Sequence, residues 1–202
     1  SHEYLFRVLR AFGFKESFIN WIKLLYTDIK SRVLVNGFLS EEFSVLRSVR
    51  QGCGLSPLLY VLCIEPLANK IRLSSNIQGL RLPGTSQEAR VSLYADDTTT
   101  LAVDTYSIVS AVKIFENFGS ASGAVLNKNK CVALVIAGNI NLADLPSWLP
   151  VRDCVKVCGV YFGRNMVELN ENMLLSKMST AVRLHKFRAL SLRVKSQLLT
   201  QL

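Results

Sequence analysis

Apolar residues recur at helical spacing in the first part of the chain. A first helix is predicted around Leu5 and Leu9 and is expected to end at Gly13, because glycine commonly terminates helices. A second, strongly amphipathic helix follows, with apolar residues placed to form one buried face. The residues of that face are Phe18, Trp21, Ile22, Leu25 and Ile29.

Two segments that follow the second helix predict a hairpin. The strands are expected over residues 32–36 and 43–49, and Asn36-Gly37 is a strong signal for a tight turn. The stretch between the strands is longer than two residues, so closure of the turn at Asn36-Gly37 alone is left open.

A helix is predicted from residue 57 to about residue 73. Ser56 is expected to cap its N-terminus, and Pro57 to occupy the first helical position. Pro66 predicts a kink or a break, because proline lacks the N–H group of the helical hydrogen bond. The glycine- and proline-bearing stretch 77–89 is expected to be a loop.

Residues 90–103 predict a tight hairpin with acidic residues at its tip. Asp96 and Asp97 are poor strand formers and separate two runs of alternating residues. The alternating positions are Val91, Leu93 and Ala95 before the acids and Thr99, Leu101 and Val103 after them. We therefore expect two short strands joined at the acidic pair.

The rest of the chain predicts a helix, a strand, a strand or hairpin broken at Gly159, and two further helices. In that order, these elements are expected at residues 108–118, 131–137, 155–162, 174–182 and 198–202. Gly119 and Gly123 are expected to end the first of these helices. Because helices and strands are interspersed without a βαβ rhythm, the predicted fold class is α+β.

The chain is basic, with 24 Lys and Arg residues against 15 Asp and Glu residues and a net charge of +9. A basic surplus favours an anionic partner such as nucleic acid, although a solvated basic surface without a specific partner would have the same composition. The surplus is concentrated in residues 163–202, which hold seven basic and two acidic residues.

The five cysteines are odd in number and not densely spaced, which argues against a disulfide scaffold. Cys154 and Cys158 have no second pair at metal-ligand spacing, so buried thiols are favoured over a zinc site. The longest apolar runs, 58–64 and 131–138, are too short to span a bilayer, and no signal peptide is visible. We expect a soluble, reduced, intracellular protein without a membrane partner.

Two adjacent carboxylates on a hairpin tip repel each other, and a bound cation would offset that cost. Asp96 and Asp97 could hold Mg²⁺, whose remaining positions substrate phosphates and water would fill, as in two-metal phosphoryl transfer. Neighbouring strand residues point to opposite faces, and we expect Asp96 to be the principal ligand. The alternative is a surface turn in which both side chains cap backbone N–H groups.

Several short motifs occur in a fixed order along nearly the whole chain. They are Arg50-Gln51-Gly52-Cys53 with Leu55-Ser56-Pro57 and Ile64-Glu65-Pro66, then Tyr94-Ala95-Asp96-Asp97, then Ser122-Gly123 with Asn127 and Lys130, then the stretch 157–163, then Leu190-Ser191-Leu192-Arg193. In this order they resemble motif B, motif C, motif D, the motif E or primer-grip hairpin and the thumb segment of LINE-type (non-LTR) retrotransposon reverse transcriptases.

The resemblance implies a polymerase palm, an antiparallel sheet with packed helices, together with part of the fingers over residues 1–162. It implies the start of a helical thumb over residues 163–202. It further implies RNA-directed DNA synthesis with Mg²⁺ or Mn²⁺, an RNA template, a DNA primer and deoxynucleoside triphosphates. The expected partner is the rest of a retrotransposon polyprotein, including an endonuclease domain, and the expected location is the nucleus and cytoplasm.

The resemblance also implies roles for individual residues. Asp96 and Asp97 would be catalytic metal ligands, and Lys130 would protonate the pyrophosphate leaving group. Gln51, Gly52 and Tyr94 would lie near the template and the incoming nucleotide. The nucleic-acid backbone would lie along Arg183, Lys186, Arg188, Arg193 and Lys195. From the residues alone, a solvated loop lysine is the favoured interpretation of Lys130, and Gln51-Gly52 could be an ordinary turn before a helix.

The sequence departs from the family pattern in several places. The family's first catalytic Asp lies in motif A, and this chain is expected to begin after that motif. Ser48 stands where Gly is usual, Gly54 where Pro is usual, and Val194 where Gly is usual. Two alternatives therefore stay open beside polymerase activity: a catalytically inactive nucleic-acid-binding remnant, and transposon debris without a selected role.

Overall fold

The computed structural model describes residues 1–45, 49, 52–137 and 141–185, without the side chains of residues 184 and 185. The described residues form two compact units. The first comprises those within 1–129 and 141–146, and the second those within 130–137 and 147–185. The expected helix at residues 198–202 lies outside the described residues.

The first unit is built from helices and short strand pairs. Its helices are α1 (His2–Ala11), α2 (Glu16–Leu25), α3 (Ser56–Arg72) and α4 (Thr105–Ser122), with a 3₁₀ helix at Leu142–Asp144. Its strands are β1 (Lys30–Ser31), β2 (Leu34–Val35), β3 (Phe38–Leu39), β4 (Phe43–Ser44), β5 (Leu80–Arg81), β6 (Glu88–Ala89), β7 (Val91–Tyr94) and β8 (Asp97–Thr100).

Two apolar clusters form the core of the first unit. The first joins α1, α2 and α3 through Leu5, Leu9, Ile19, Ile22, Tyr26, Ile29 and Leu59. The second joins α3 and α4 through Leu67, Ile71, Ile77 and Ala111, and Val91 of β7 packs against it. α3 contributes to both clusters, so it is the central helix of the unit.

The buried face of α2 differs from the one expected. Ile19 and Ile22 are buried, whereas Trp21 is 66% exposed and Leu25 is 55% exposed. The apolar residues of this helix form two overlapping stripes. The stripe that is buried in the core cluster contains Ile19 and Ile22 and continues to Tyr26. The choice between the stripes depends on where α1 and α3 lie, so periodicity alone assigned Trp21 and Leu25 wrongly.

The Asn36-Gly37 turn closes by itself. β2 pairs with β3 directly across it, and both turn residues have positive φ, 50° and 85°, as a two-residue hairpin turn of this kind requires. A second, outer pair forms between β1 and β4. The loop expected at 77–89 is also a hairpin, since β5 pairs with β6, and that expectation was wrong.

Two details of α3 correct the sequence interpretation. Ser56 is the first residue of the helix rather than its cap; Leu55 holds the capping position without a side-chain hydrogen bond. The helix runs through Pro66 to Arg72 without a break. Proline removes one backbone hydrogen bond there, and the burial of Leu67 and Ile71 after it stabilises the continued helix.

α4 begins and ends with recognisable caps. The Asp104 carboxylate accepts a hydrogen bond from the backbone N–H of Ser107 at 2.6 Å. Gly123, at φ 77°, adopts the left-handed conformation that ends the helix. Gly119 lies inside the helix, so only the second of the two expected glycine terminators acts as one.

The second unit contains the strands β9 (Ala133–Leu134), β10 (Val151–Arg152), β11 (Cys154–Val157) and β12 (Val160–Gly163), followed by helix α5 (Met166–His185). β11 and β12 form the expected hairpin around Cys158-Gly159. β9 pairs with β10 in parallel, and the strand expected over 131–137 is limited to these two half-buried residues. Helices mixed with small, mostly antiparallel strand pairs confirm the α+β class.

All five cysteines lie among the described residues, and none forms a disulfide. Cys53 and Cys158 are exposed, and the other three cysteines are half-buried, so the expectation of buried thiols was wrong for the exposed pair and holds only in part for the rest. Burial raises the pKa of the Cys63 thiol from 9.0 to about 11, so this thiol is protonated at neutral pH. Among the helices in the described part of the chain, none combines the length and apolarity needed to cross a bilayer.

Candidate active site

The acidic residues lie at the tip of the β7–β8 hairpin, as predicted. The two strands pair from Val91 opposite Thr100 up to Tyr94 opposite Asp97. Ala95 and Asp96 therefore form a two-residue turn, and Asp97 is the first residue of the returning strand. Ala95 has a φ of 50°, a left-handed conformation that side chains other than glycine adopt at a cost.

The hairpin is anchored at its base and exposed at its tip. Val91 packs against the second core cluster, and Leu93 is half-buried. Tyr94 is 68% exposed, and Asp96 and Asp97 are exposed as well. The tip is thus open to a ligand, while the strands that carry it are held by the core.

Tyr60 of α3 lies within electrostatic reach of the acidic turn. Partial burial raises the pKa of its phenol, and the negative charge of Asp96 raises this pKa further. Sequence analysis did not identify Tyr60, because nothing in the local pattern of α3 indicates which of its residues approaches a turn far along the chain. The packing of α3 against β7 produces the approach.

The donor set of the turn fits a hard divalent cation. Asp96 and Asp97 offer carboxylate oxygens, and neither carboxylate forms an ion pair with a described residue. Mg²⁺ is commonly held by one or two carboxylates while substrate phosphates and water complete its shell. No group of three or more His, Cys, Asp or Glu side chains suited to a metal occurs in the described ranges.

The expected template and nucleotide residues are only partly described. Gly52 is exposed in the turn before α3 and has a φ of 80°, which explains a glycine at this position. Gln51 and Ser48 lie outside the described residues. Gly54 has no left-handed φ, and a Cβ there would meet no atom within 4 Å.

Lys130 is an exposed residue of the second unit, whereas the acidic turn belongs to the first. Ser122-Gly123, from the same expected motif, forms the C-terminal cap of α4. The Ser122 hydroxyl donates to the Phe118 carbonyl at 2.7 Å and accepts from the Ala124 N–H at 3.1 Å. This serine–glycine pair therefore has a clear role in ending a helix.

The β11–β12 hairpin has its own local support in the second unit. The Lys156 ammonium lies 5.1 Å from the centre of the Tyr161 ring. Tyr161 is half-buried and Phe162 is 43% exposed, so neither is a fully buried core residue. Arg183 is exposed on α5. The other expected backbone contacts, Lys186, Arg188, Arg193 and Lys195, lie outside the described residues, as does Val194.

A family model described as reverse transcriptase (RNA-dependent DNA polymerase) matches residues 1–162. The chain belongs to the reverse transcriptase family. In chain order, the matched residues include α3, the acidic turn and all of the β11–β12 hairpin except Gly163. Reverse transcriptases as a family use divalent metal ions, in agreement with the carboxylate oxygens that the turn exposes.

The proteins most relevant to the type of reverse transcriptase are encoded by transposable elements. The transposon TX1 uncharacterized 149 kDa protein of Xenopus laevis is 30% identical over 211 residues, covering 100% of this chain and 16% of that protein. A retrovirus-related Pol polyprotein from the type-2 retrotransposable element R2DM of Drosophila melanogaster is 30% identical over 138 residues, covering 68% of this chain and 13% of the relative. A type-1 element R2 polyprotein of Popillia japonica is 25% identical over 137 residues, 68% of this chain and 22% of the relative.

These relatives place the chain among the reverse transcriptases of non-LTR retrotransposons, which confirms the predicted family. The chain spans less than a quarter of the length of each of these three relatives. Two of them are named as polyproteins, so related sequences occur as parts of much larger proteins.

Proposed function

We propose that the chain contributes the palm and part of the fingers of an RNA-directed DNA polymerase over residues 1–162, and the start of its thumb over residues 163–202. One observation carries this proposal: the Tyr94-Ala95-Asp96-Asp97 turn presents two exposed carboxylates, neither in an ion pair with a described residue, on a hairpin that the core anchors. The substrates are an RNA template, a DNA primer and deoxynucleoside triphosphates, and the chain acts within a retrotransposon polyprotein.

Asp96 and Asp97 are the residues that would hold Mg²⁺, or Mn²⁺ in its place. Bound there, the ions would stabilise the attacking and leaving oxygens when the primer 3′-hydroxyl displaces pyrophosphate. Asp96 approaches from the turn and Asp97 from the first position of β8. Among the described residues, no third acidic, His or Cys side chain joins these two at the turn.

The proposal assigns roles to four further residues. Gln51 and Gly52 contact the template base and the incoming nucleotide, where the left-handed glycine lets the backbone approach a base closely. Tyr94, exposed beside the acids, offers its ring to the same substrates. Lys130 donates the proton that pyrophosphate takes up as it leaves.

The backbone of the template–primer duplex follows the basic segment of residues 163–202. Arg183 is its described contact, exposed on α5. Lys186, Arg188, Arg193 and Lys195 extend the basic series along the sequence. Contacts of this kind neutralise phosphates without reading bases, which suits an enzyme that must copy any sequence.

The test measures primer extension on an RNA template. The protein assayed is a longer polypeptide in which the catalytic Asp of motif A precedes this chain. Asp96→Asn keeps the shape of the side chain and removes its charge. We expect extension to fall by more than about 100-fold, because even changes to the partners of metal ligands commonly cost about 10- to 100-fold. The matched control is Asp28→Asn, at an exposed position of the first unit.

Asp28 has a φ of 48°, which asparagine tolerates as well as aspartate does, so its substitution removes one surface charge without backbone strain. We expect extension by the Asp28→Asn protein to stay within about twofold of the unsubstituted protein. An Asp96→Asn protein that extends primers at the unsubstituted rate would refute the assignment of the metal site.

A further inference from the structure

An open groove lies between α3 and α4, at the C-terminal end of α3. One wall is the helical face of α3 that carries Asn69 and Lys70, and the other is the face of α4 that carries Tyr106, Ser110 and Lys113. The loop that follows α3 contributes further polar residues. The groove encloses about 620 Å³, which is within the usual size range of ligand sites.

The charges of the groove are of one sign. Lys70 and Lys113 line opposite walls, and no acidic residue from the described part of the chain lines either wall. Neither lysine forms an ion pair with a residue in the described ranges. Glu65, on the same helix as Lys70, is already paired with Arg72 at 2.6 Å. An anion in the groove would therefore meet two ammonium groups without a competing carboxylate.

The neutral polar groups of the groove add hydrogen-bond donors. The Asn69 side-chain oxygen accepts from Arg72 at 3.0 Å, which leaves the amide NH₂ group as its available donor. Ser110 and Tyr106 supply hydroxyl groups, and Tyr106 is 65% exposed, so its ring also offers a face for stacking. Phosphate oxygens and a base match this combination of cations, donors and one aromatic ring.

We propose that the α3–α4 groove binds the phosphodiester backbone of a nucleic-acid strand. The proposal rests on the proposed function for its class of ligand, and it adds a binding surface outside the acidic turn. The groove lies at the C-terminal end of α3, the helix that also packs against β7 of the acidic hairpin.

The experiment measures binding of a fluorescein-labelled single-stranded RNA to the 202-residue chain by fluorescence anisotropy, in EDTA and at a series of salt concentrations. The test variant is Lys70→Gln/Lys113→Gln. The control, Lys15→Gln/Arg81→Gln, removes two exposed charges of the same unit outside the groove. Circular dichroism verifies that each variant is folded.

We expect the groove variant to lower the slope of log K against log salt by about 1.4, since each of two phosphate contacts on a single strand contributes about 0.7. Its affinity at low salt should fall on the order of 10-fold, while the control should change less than about twofold. Ser110→Glu, which places a negative charge in the groove and keeps both lysines, should weaken binding as well.

Equal losses in the groove variant and the control would overturn the proposal, because total charge rather than the groove would then govern binding. Unchanged RNA binding by both the groove variant and Ser110→Glu would also overturn it. So would a chain that binds a polyglutamate peptide through Lys70 and Lys113 but does not bind RNA. The assay contains no divalent ion, so Asp96→Asn should bind as the unsubstituted chain does. If the groove does not bind RNA, the primer-extension test of the proposed polymerase function is therefore unaffected.

Discussion

Ser56 and Ser107 are both buried near the start of a helix, but their hydroxyl groups differ in hydrogen bonding. The Ser107 hydroxyl, 1% exposed, accepts a hydrogen bond from the Gln78 backbone N–H at 2.9 Å. The Ser56 hydroxyl, 3% exposed, has no hydrogen-bond partner among the described atoms. Ser107 thus ties α4 to the segment after α3, whereas Ser56 carries a desolvation cost that no hydrogen bond offsets.

Only one of the two serine-to-alanine substitutions should therefore lower the free energy of unfolding. Ser107→Ala leaves the Gln78 N–H without its acceptor and should lower the free energy of unfolding by about 1–3 kcal/mol. Ser56→Ala removes an unsatisfied hydroxyl and should leave that free energy unchanged or raise it by up to about 1 kcal/mol. Urea denaturation measures both; a larger loss for Ser56→Ala than for Ser107→Ala would contradict the assignment.

At the scale of elements, the strands of each short hairpin pair with each other, and side-chain hydrogen bonds connect a neighbouring helix to the hairpin. In the second unit, the Asn170 side chain of α5 forms two hydrogen bonds with the backbone of Tyr161 in β12. Its oxygen accepts from the Tyr161 N–H at 2.8 Å, and its NH₂ group donates to the Tyr161 carbonyl at 2.9 Å. The Asn170 amide thereby provides hydrogen-bond partners for the N–H and C=O groups of Tyr161, as the backbone of a neighbouring strand would.

Asn170→Ala should destabilise the second unit by about 1–2 kcal/mol, because both partly buried backbone groups of Tyr161 lose their partner. The control is Asn172→Ala, an exposed position on the same helix, which makes the same gain in helix propensity. Hydrogen exchange at the Tyr161 amide and urea denaturation report the difference. Equal stability of the two variants would refute the role of Asn170.

At the scale of the whole molecule, the unequal distribution of charge is the main feature. The net charge is +9, and residues 163–202 hold seven basic residues against two acidic ones. This segment overlaps α5, where Arg183 is exposed, and continues beyond the described residues. An excess of this kind attracts a polyanion and makes binding depend on salt.

Neutralising the segment should weaken nucleic-acid binding without changing its preference for sequence. Substituting Lys186, Arg188, Arg193 and Lys195 by glutamine should lower the slope of log K against log salt by up to about 3 on single-stranded RNA. Titrations over a range of salt concentrations, with several RNA sequences, measure this. A slope that stays unchanged would show that the segment makes no phosphate contacts.

Features decided by a few consecutive residues could be predicted from the sequence. The acidic turn, the Cys158-Gly159 hairpin and the Gly123 terminus all formed where they were expected. The Asn36-Gly37 signal proved stronger than expected, because a turn of two left-handed residues needs no help from distant contacts. The interpretation of Ser56 failed, since capping depends on the conformation of the loop before the helix.

The sequence by itself determined the family, the order of the motifs and the position of the two carboxylates, because backbone preference and residue chemistry are local properties. Only the tertiary structure decided which stripe of α2 is buried, that Tyr60 approaches Asp96, and that Lys70 and Lys113 share one groove. Each of these arises from the packing of α3 against partners distant in sequence. Burial, electrostatic reach and groove shape depend on distances that no local pattern encodes.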